Sequence, residues 1–169
     1  MTIFLIGMPA SGKTTIGRLL AEHLQYAYFD TDEIIASLEG LSVPEIFATK
    51  GETYFRQLES DLVSNWKMTH TVIATGGGLP CYMDNMDRIN QIGTTVWLKV
   101  SQPELVRRLL TEPNSRPLYA LKNEKELISL VQEMYKHRKN SYQKAQIRIL
   151  CQHHSPEVIV KKIVRKLYQ

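Results

Sequence analysis

Cysteine is scarce in this chain: Cys81 and Cys151 stand far apart in 169 residues, in no C-x-x-C or Cys/His zinc spacing. Neither a disulfide framework nor a structural zinc site is expected, and both thiols read as reduced cytosolic groups. Long apolar runs are missing too, none approaching the ~20 residues of a membrane span. The opening Met1-Thr2-Ile3-Phe4-Leu5-Ile6-Gly7 has no basic leader region and no cleavage site. Secretion and membrane insertion are disfavoured, and a cytoplasmic location is expected. With no internal repeat and no low-complexity linker, one domain over 1–169 is the default. A concentrated basic stripe with interleaved aromatics is also lacking, so nucleic acid is not the expected partner. The closest candidate, Lys161-Lys162 through Arg165-Lys166, fits the solvated face of a terminal helix. A net charge of +4 suits small anionic ligands as well as nucleic acid, and alone selects neither.

What is present has the profile of a globular domain. Hydrophobic residues make up 43% of the chain, and at this length folding buries roughly 70% of the unfolded surface, enough for a core without staples. Short apolar runs at Thr2–Ile6, Tyr26–Phe29, Thr71–Thr75, Thr94–Val100 and Ile147–Cys151 read as strands. Most are nearly continuous in apolar residues, which predicts burial on both faces and a parallel sheet covered by helices. Helix starts are marked by Ser42 with Glu45, Ser101 with Glu104, and Ser155-Pro156; Gly40, Gly51 and Gly93 fall where helices should stop. The alternation predicts a three-layer α/β/α sandwich.

The strongest chemical signal is Gly7-Met8-Pro9-Ala10-Ser11-Gly12-Lys13-Thr14, a G-x-x-x-x-G-K-[ST] pattern. It lies between an apolar strand and a helical segment, Thr15–Leu24, as a P-loop requires. Such a loop closes backbone N–H groups around phosphate oxygens at a helix N-terminus. Lys13 is placed to reach the β- and γ-phosphates of a nucleoside triphosphate, and the Thr14 hydroxyl to ligate Mg²⁺.

Phe29-Asp30-Thr31-Asp32 then puts two carboxylates at the C-terminal end of the second strand, the edge where open α/β sheets bind ligands. Spaced i, i+2 in extended chain, both would point into the crevice. One would hold magnesium water and the other accept a proton from an attacking hydroxyl; taken singly, each serves equally as a helix cap. Gly76-Gly77-Gly78 ends the third strand and permits close approach of a ligand, or forms a flexible turn. On the helical segment Glu124–Tyr142, Arg138 extends the apolar stripe Leu127, Leu130, Val131, Met134, a costly place for a guanidinium unless it meets an anion or snorkels to water. Arg56 flanks the stripe Phe55, Leu58, Leu62, Trp66, and with Glu59 reads as an ordinary i, i+3 pair worth only ~0.2–0.5 kcal/mol. The loop Glu112–Leu118 carries Arg116 between prolines, as a mobile flap over a phosphoryl-transfer site would. His153-His154 reads as a solvated turn.

In this order the landmarks resemble the shikimate kinases over nearly the whole length: Gly7–Thr15, Asp30-Thr31-Asp32, Ser42–Gly51 with Pro44-Glu45-Ile46-Phe47, Phe55-Arg56, Gly76–Gly78, Arg116-Pro117-Leu118, and His137-Arg138 before Tyr142. The resemblance implies a five-stranded parallel sheet in the order 2-3-1-4-5, similar to nucleoside monophosphate kinases, and transfer of phosphate from ATP to the 3-hydroxyl of shikimate. It implies a nucleotide site of Gly7, Pro9, Ala10, Ser11, Gly12, Lys13, Thr14, Thr15, Arg108 and Arg116. Asp32 is implied as substrate ligand and base, with Lys13 and Arg116 as its catalytic companions, and Thr14 and Asp30 as the Mg²⁺ pair. Phe47, Phe55, Arg56, Gly76, Gly77, Gly78 and Arg138 are implied around the acceptor, Arg56 and Arg138 clamping its carboxylate. A substrate-binding segment at about 31–62, a lid at about 112–122 and a monomeric state complete the expectation. Pro9-Ala10 stands where the family usually has a glycine, and Cys81 is expected near the pocket. Alternatives are a kinase of another hydroxy acid such as gluconate, a nucleoside monophosphate kinase, and a nucleotide-dependent switch; the last needs no proton acceptor and no carboxylate clamp.

Overall fold

A computed structural model describes residues 1–111 and 123–169. Five parallel strands form one sheet: β1 (Thr2–Ile6), β2 (Ala27–Asp30), β3 (Thr71–Ala74), β4 (Thr94–Lys99) and β5 (Ile147–Leu150), ordered β2-β3-β1-β4-β5. β1 runs between β3 and β4, with Phe4 opposite Ile73 on one side and Thr95 on the other. Every residue of β1 is buried, as its unbroken apolar run requires of a central strand covered on both faces. The edges differ from that expectation. β2 is only half-buried, and β5 alternates, with Ile149 inside and Arg148 and Leu150 outside, because an edge strand has fewer helices against it.

The helices are α1 (Lys13–Leu24), α2 (Thr31–Glu39), α3 (Val43–Ser64), α4 (Asn85–Ile92), α5 (Gln102–Thr111), α6 (Glu124–Tyr142) and α7 (Pro156–Leu167). Their starts follow local chemistry. Ser42 and Glu45 form a reciprocal capping box on α3, and Asn123 with Glu126 forms another on α6. Ser155 precedes Pro156 in extended conformation, but its hydroxyl makes no capping bond; the proline at the first position carries that start. Gly40 ends α2 in the left-handed region as expected. Gly51 stops the first half of α3 as expected: its backbone is non-helical at φ 83°, ψ 169°, and a second helical half begins directly after it. That break re-aims the second half of α3, which carries Glu52, Arg56 and Glu59. No helix among the described residues is long and apolar enough to cross a membrane.

The main core lies between sheet and helices, from Phe4, Leu5 and Ile73 through Leu20 of α1 to Leu105, Val131 and Ile163. A separate small cluster of Ile35, Ile46 and Phe55 ties α2 to α3. Segment 31–62 thus has its own apolar anchor beside the carboxyl ends of the strands.

Candidate active site

The glycine-rich loop leaves β1 at Gly7, whose φ of 148° and contact with Leu98 exclude a side chain: a β-carbon would stand 2.8 Å from the Leu98 carbonyl oxygen. Gly12 enters α1 in the left-handed region. Ala10 does so too, at φ 62°, a conformation that costs an L-residue roughly 1–2 kcal/mol. The Lys13 ammonium, 8% exposed, donates to the carbonyls of Gly7 and Met8 at 2.9 Å and to Ser11 Oγ at 3.4 Å. It is therefore held on the loop itself. Arg108 of α5 reaches over this loop, donating to the Ala10 carbonyl at 3.2 Å while Glu104 fixes its Nε at 2.8 Å. Hydrogen bonds from Arg107 and Arg108 hold the Glu104 carboxyl down at about 2. Between α1, α5 and the start of α7 lies a cavity of about 540 Å³, lined by Gly12, Thr14, Thr15, Arg108, His154 and Pro156 among others.

The two aspartates do not point the same way. The chain turns helical directly after Asp30, so Asp32 sits in the first turn of α2 rather than in extended chain. Asp30 Oδ1 caps that helix by accepting from the Asp32 N–H at 3.0 Å. Its Oδ2 faces Thr14 Oγ1 at 3.4 Å and the Tyr28 hydroxyl at 3.5 Å. Burial, then the Asp30 charge, pushes that tyrosine up to about 12, so it stays a donor. Oδ1 is thus committed to the cap, and Oδ2 is left facing Thr14 and Tyr28. Thr14 and Asp30 supply hard oxygen donors at a phosphate-binding loop, a set that suits Mg²⁺, which keeps waters and phosphate oxygens as its remaining ligands. No group of three or more His, Cys, Asp or Glu converges among the described residues.

Asp32 belongs to a different cluster, built on the three glycines. A β-carbon on Gly76 would stand 2.5 Å from Asp32 Oδ1 and 2.7 Å from Glu59 Oε1. On Gly77 it would stand 2.9 Å from Arg138 Nη1 and 3.3 Å from Pro9 of the phosphate loop. On Gly78 it would lie within 2.7 Å of three atoms of the Arg56 guanidinium. Each glycine therefore gives up its side chain to a different charged group, and the middle one touches the nucleotide loop. The turn is fixed rather than flexible. The Gly76 N–H donates to Thr31 Oγ1 at 2.8 Å, and the buried Tyr142 hydroxyl donates to the Gly77 carbonyl at 2.6 Å.

Arg56 and Glu59 correct the expectation of an ordinary surface pair. Glu59 is 0% exposed and Arg56 8%, and Nη1 donates to Glu59 Oε2 at 2.6 Å. Burial pushes the Glu59 carboxyl up to about 7; Arg56 opposes the rise and the Asp32 charge adds to it. Glu52 takes the other edge of the guanidinium, from Nε at 3.1 Å and Nη2 at 2.9 Å. Phe47 and Phe55 pack together beside it, their centroids 4.9 Å apart. Arg138, half-buried on α6, makes no hydrogen bond or ion pair among the described residues, and its Nη1 faces Gly77. Cys81 Sγ lies 4.0 Å from the Gly77 carbonyl, near the cluster as expected, with its thiol raised by burial. Arg116 and the expected lid at 112–122 lie outside the described residues. Sequence reasoning missed Glu52, Tyr28 and the buried character of Glu59; the i, i+4 and i, i+3 spacing around Arg56 was the available signal.

Comparison with known proteins identifies the family and the fold. The family described as Shikimate kinase matches residues 9–168. A shikimate kinase of Clostridium botulinum (strain Okra) is 44% identical over 165 residues, 96% of this chain and 94% of the relative. The crystal structure of shikimate kinase from Bacteroides thetaiotaomicron superposes with a TM-score of 0.91 at 31% identity, covering 100% of this chain and 99% of that one. Shikimate kinase from Acinetobacter baumannii, solved in complex with shikimate, gives 0.86 at 29% identity, over 99% and 92%. With its phosphate loop, its 2-3-1-4-5 sheet and this extent of similarity, the chain belongs to the shikimate kinase family, ATP-dependent phosphotransferases of aromatic amino acid biosynthesis.

Proposed function

We propose that the chain moves the γ-phosphoryl group of ATP to the 3-hydroxyl of shikimate with the roles divided between the two loops. The observation that carries this division is the approach of Gly77 to Pro9, whose Cδ lies 3.3 Å from where a Gly77 β-carbon would be, so that an acid-and-arginine pocket lies beside the phosphate loop. Gly7, Pro9, Ala10, Ser11, Gly12, Thr14 and Thr15 enclose the phosphates with backbone N–H groups and hydroxyls. Lys13 exchanges its Gly7 and Met8 carbonyl partners for phosphate oxygens, bringing a desolvated charge to where negative charge moves. Arg108 borders the nucleotide cavity. Thr14 and Asp30 would hold Mg²⁺, which when bound neutralises phosphate charge. Arg116 is assigned to the phosphates on its Arg116-Pro117-Leu118 motif.

Asp32 accepts the proton of the acceptor hydroxyl. Its carboxylate lies with Glu59 against Gly76, while Asp30 turns one oxygen to the helix cap and the other to Thr14; this supports giving proton acceptance and cation binding to different acids. Arg56 and Arg138 take the acceptor's carboxylate, the planar anion that guanidinium donors match best. Gly77 and Gly78 offer backbone, Phe47 and Phe55 an apolar wall, and segment 31–62 is the acceptor-binding part of the fold. An ADP-release assay with MgATP against shikimate, quinate, gluconate and nucleoside monophosphates tests the reading. Turnover with shikimate at least a hundredfold above the others in kcat/KM is expected; equal use of gluconate would overturn the acceptor assignment.

A further inference from the structure

The loop that supplies the three glycines continues through a short 3₁₀ turn, Leu79–Cys81, to Tyr82. It is stiff. The Leu79 N–H donates to the Gly76 carbonyl at 3.1 Å, the Cys81 N–H to Gly78 at 2.8 Å, and Asn85 Nδ2 to Leu79 at 3.1 Å. Tyr82 is thereby fixed at the rim of the pocket, 38% exposed, with its ring centroid 4.3 Å from Arg56 Cζ. Its hydroxyl donates at 2.8 Å to Glu52 Oε1, the same oxygen that accepts from Arg56 Nε and Nη2.

We propose that Tyr82 is a positioning residue for the acceptor's carboxylate, roofing the Arg56 guanidinium with its ring and anchoring Glu52 with its hydroxyl. This rests on the assignment of Arg56 to that carboxylate. A guanidinium has five N–H donors. Glu52 takes one from Nε and one from Nη2, and Glu59 takes one from Nη1, which leaves one donor on each terminal nitrogen. The guanidinium is planar, so both donors lie in its plane; with Gly78 close to it and the Tyr82 ring over one face, an anion is left to approach edge-on, as bidentate binding of a carboxylate requires. Glu59 is buried, whereas the Glu52 side chain is about half exposed and is held at its place by hydrogen bonds from Arg56 and Tyr82. Tyr82 adds a second anchor to the one from Arg56: its hydrogen bond, ahead of those from Arg56, holds the Glu52 carboxyl below its ordinary range. One loop thus provides both the glycine floor and the aromatic roof of the arginine.

The test compares steady-state kinetics of the wild type with Tyr82→Ala, Tyr82→Phe, Arg56→Ala and the double variant, with shikimate and its methyl ester as acceptors. Loss of a cation–π contact and a charge-assisted hydrogen bond predicts a shikimate KM raised roughly tenfold in Tyr82→Ala, and by about threefold in Tyr82→Phe, which keeps the ring. The KM for ATP stays at its wild-type value and kcat within about threefold. Preference for acid over ester falls along with the affinity, and adding Tyr82→Ala to Arg56→Ala changes nothing further. A shikimate KM within twofold of wild type in Tyr82→Ala, with a large rise in Arg56→Ala, overturns the role of Tyr82 and leaves the clamp standing. An unchanged KM in Arg56→Ala overturns the clamp itself. Equal rises for ATP and shikimate mark a merely structural residue and overturn the proposal. Should Tyr82→Ala fail to fold, Tyr82→Phe decides alone: a selective rise in shikimate KM supports the role, and wild-type kinetics overturn it.

Discussion

Asp32 and Glu59 bring carboxylate oxygens to the same side of Gly76, 2.5 and 2.7 Å from where its β-carbon would be. A methyl group there has no room, because Glu59 is fully buried and Asp32 is carried by the first turn of a capped helix. Gly76→Ala is expected to displace Asp32 and lower kcat by at least tenfold, while nucleotide affinity, which depends on the other loop, stays within about twofold. Titration with a fluorescent ADP analogue beside a turnover assay separates the two.

The same crowding has a pH signature. Burial raises Glu59 from its ordinary 4.5 to about 7. Between these values the unfolded chain ionises first and holds fewer protons, so this group's contribution to stability is present below pH 4.5 and lost as pH rises towards 7. At ~1.4 kcal/mol per pKa unit the loss is at most roughly 3–4 kcal/mol. Glu59→Gln cannot titrate. Urea midpoints at pH 5 and pH 8 should therefore show the wild type losing stability relative to Glu59→Gln as pH rises; a constant difference would mean that Arg56 keeps Glu59 ionised throughout.

Asp30 caps α2 with one oxygen and turns the other towards Thr14, and two substitutions separate the cap from the proposed cation role. Asparagine caps a helix as well as aspartate does, so Asp30→Asn should keep α2 intact while weakening Mg²⁺ dependence. Asp30→Ala loses the cap as well, at about 1 kcal/mol of stability. Thermal unfolding together with Mn²⁺ binding measured by electron paramagnetic resonance in the presence of ADP distinguishes them. Equal Mn²⁺ affinity in wild type and Asp30→Asn would leave Asp30 as a cap alone.

Asp32→Asn keeps the size of the side chain and removes the proton acceptor. A fall in kcat of roughly 10²–10⁴ is expected, with little change in ADP affinity. If Asp30→Asn were the more damaging change at saturating magnesium, the two acids would have exchanged roles.

Sequence carried the parts of this site that depend on local pattern. The phosphate loop is contiguous, its flanking strand and helix are written beside it, and Gly76–Gly78 is visible as a run. Arg138 stood out because it continues a stripe of Leu127, Val131 and Met134 that the fold buries or half-buries. The parts that stayed hidden depend on what lies across the fold. Glu59 has the spacing of a surface ion pair, and only the approach of Gly76 and Asp32 makes it a buried acid. The i, i+2 aspartates read as parallel only in extended chain; either is also a helix-cap candidate, and the structure gives the cap to Asp30, which puts Asp32 in the first turn of α2. Gly51 is the helix stop its residue type suggests; what it does not reveal is that a second helical half follows at once, held by the apolar anchors Ile46 and Phe55 on either side.

Arg138 is the side chain whose place most needs a ligand to explain it. It is half-buried against Gly77, and among the described residues no carboxylate hydrogen-bonds it, whereas Arg56 holds two. A guanidinium so placed is a donor fork kept open for an incoming planar anion. Truncating one member of a desolvated charge pair costs about 2–5 kcal/mol, or roughly 30- to several-thousand-fold in affinity. Arg138→Ala should raise the KM for shikimate steeply and leave ATP affinity unchanged. The methyl ester of shikimate supplies the control, since it keeps the ring and hydroxyls and removes the charge. Wild type should use the ester poorly, and Arg138→Ala should discriminate acid from ester far less, because the pair that the comparison measures is already gone. A variant that still preferred the acid by the full wild-type ratio would show that Arg138 does not touch the carboxylate. The open guanidinium beside Gly77 would then have to serve the transferring phosphate instead, and the same variant would show the loss in kcat.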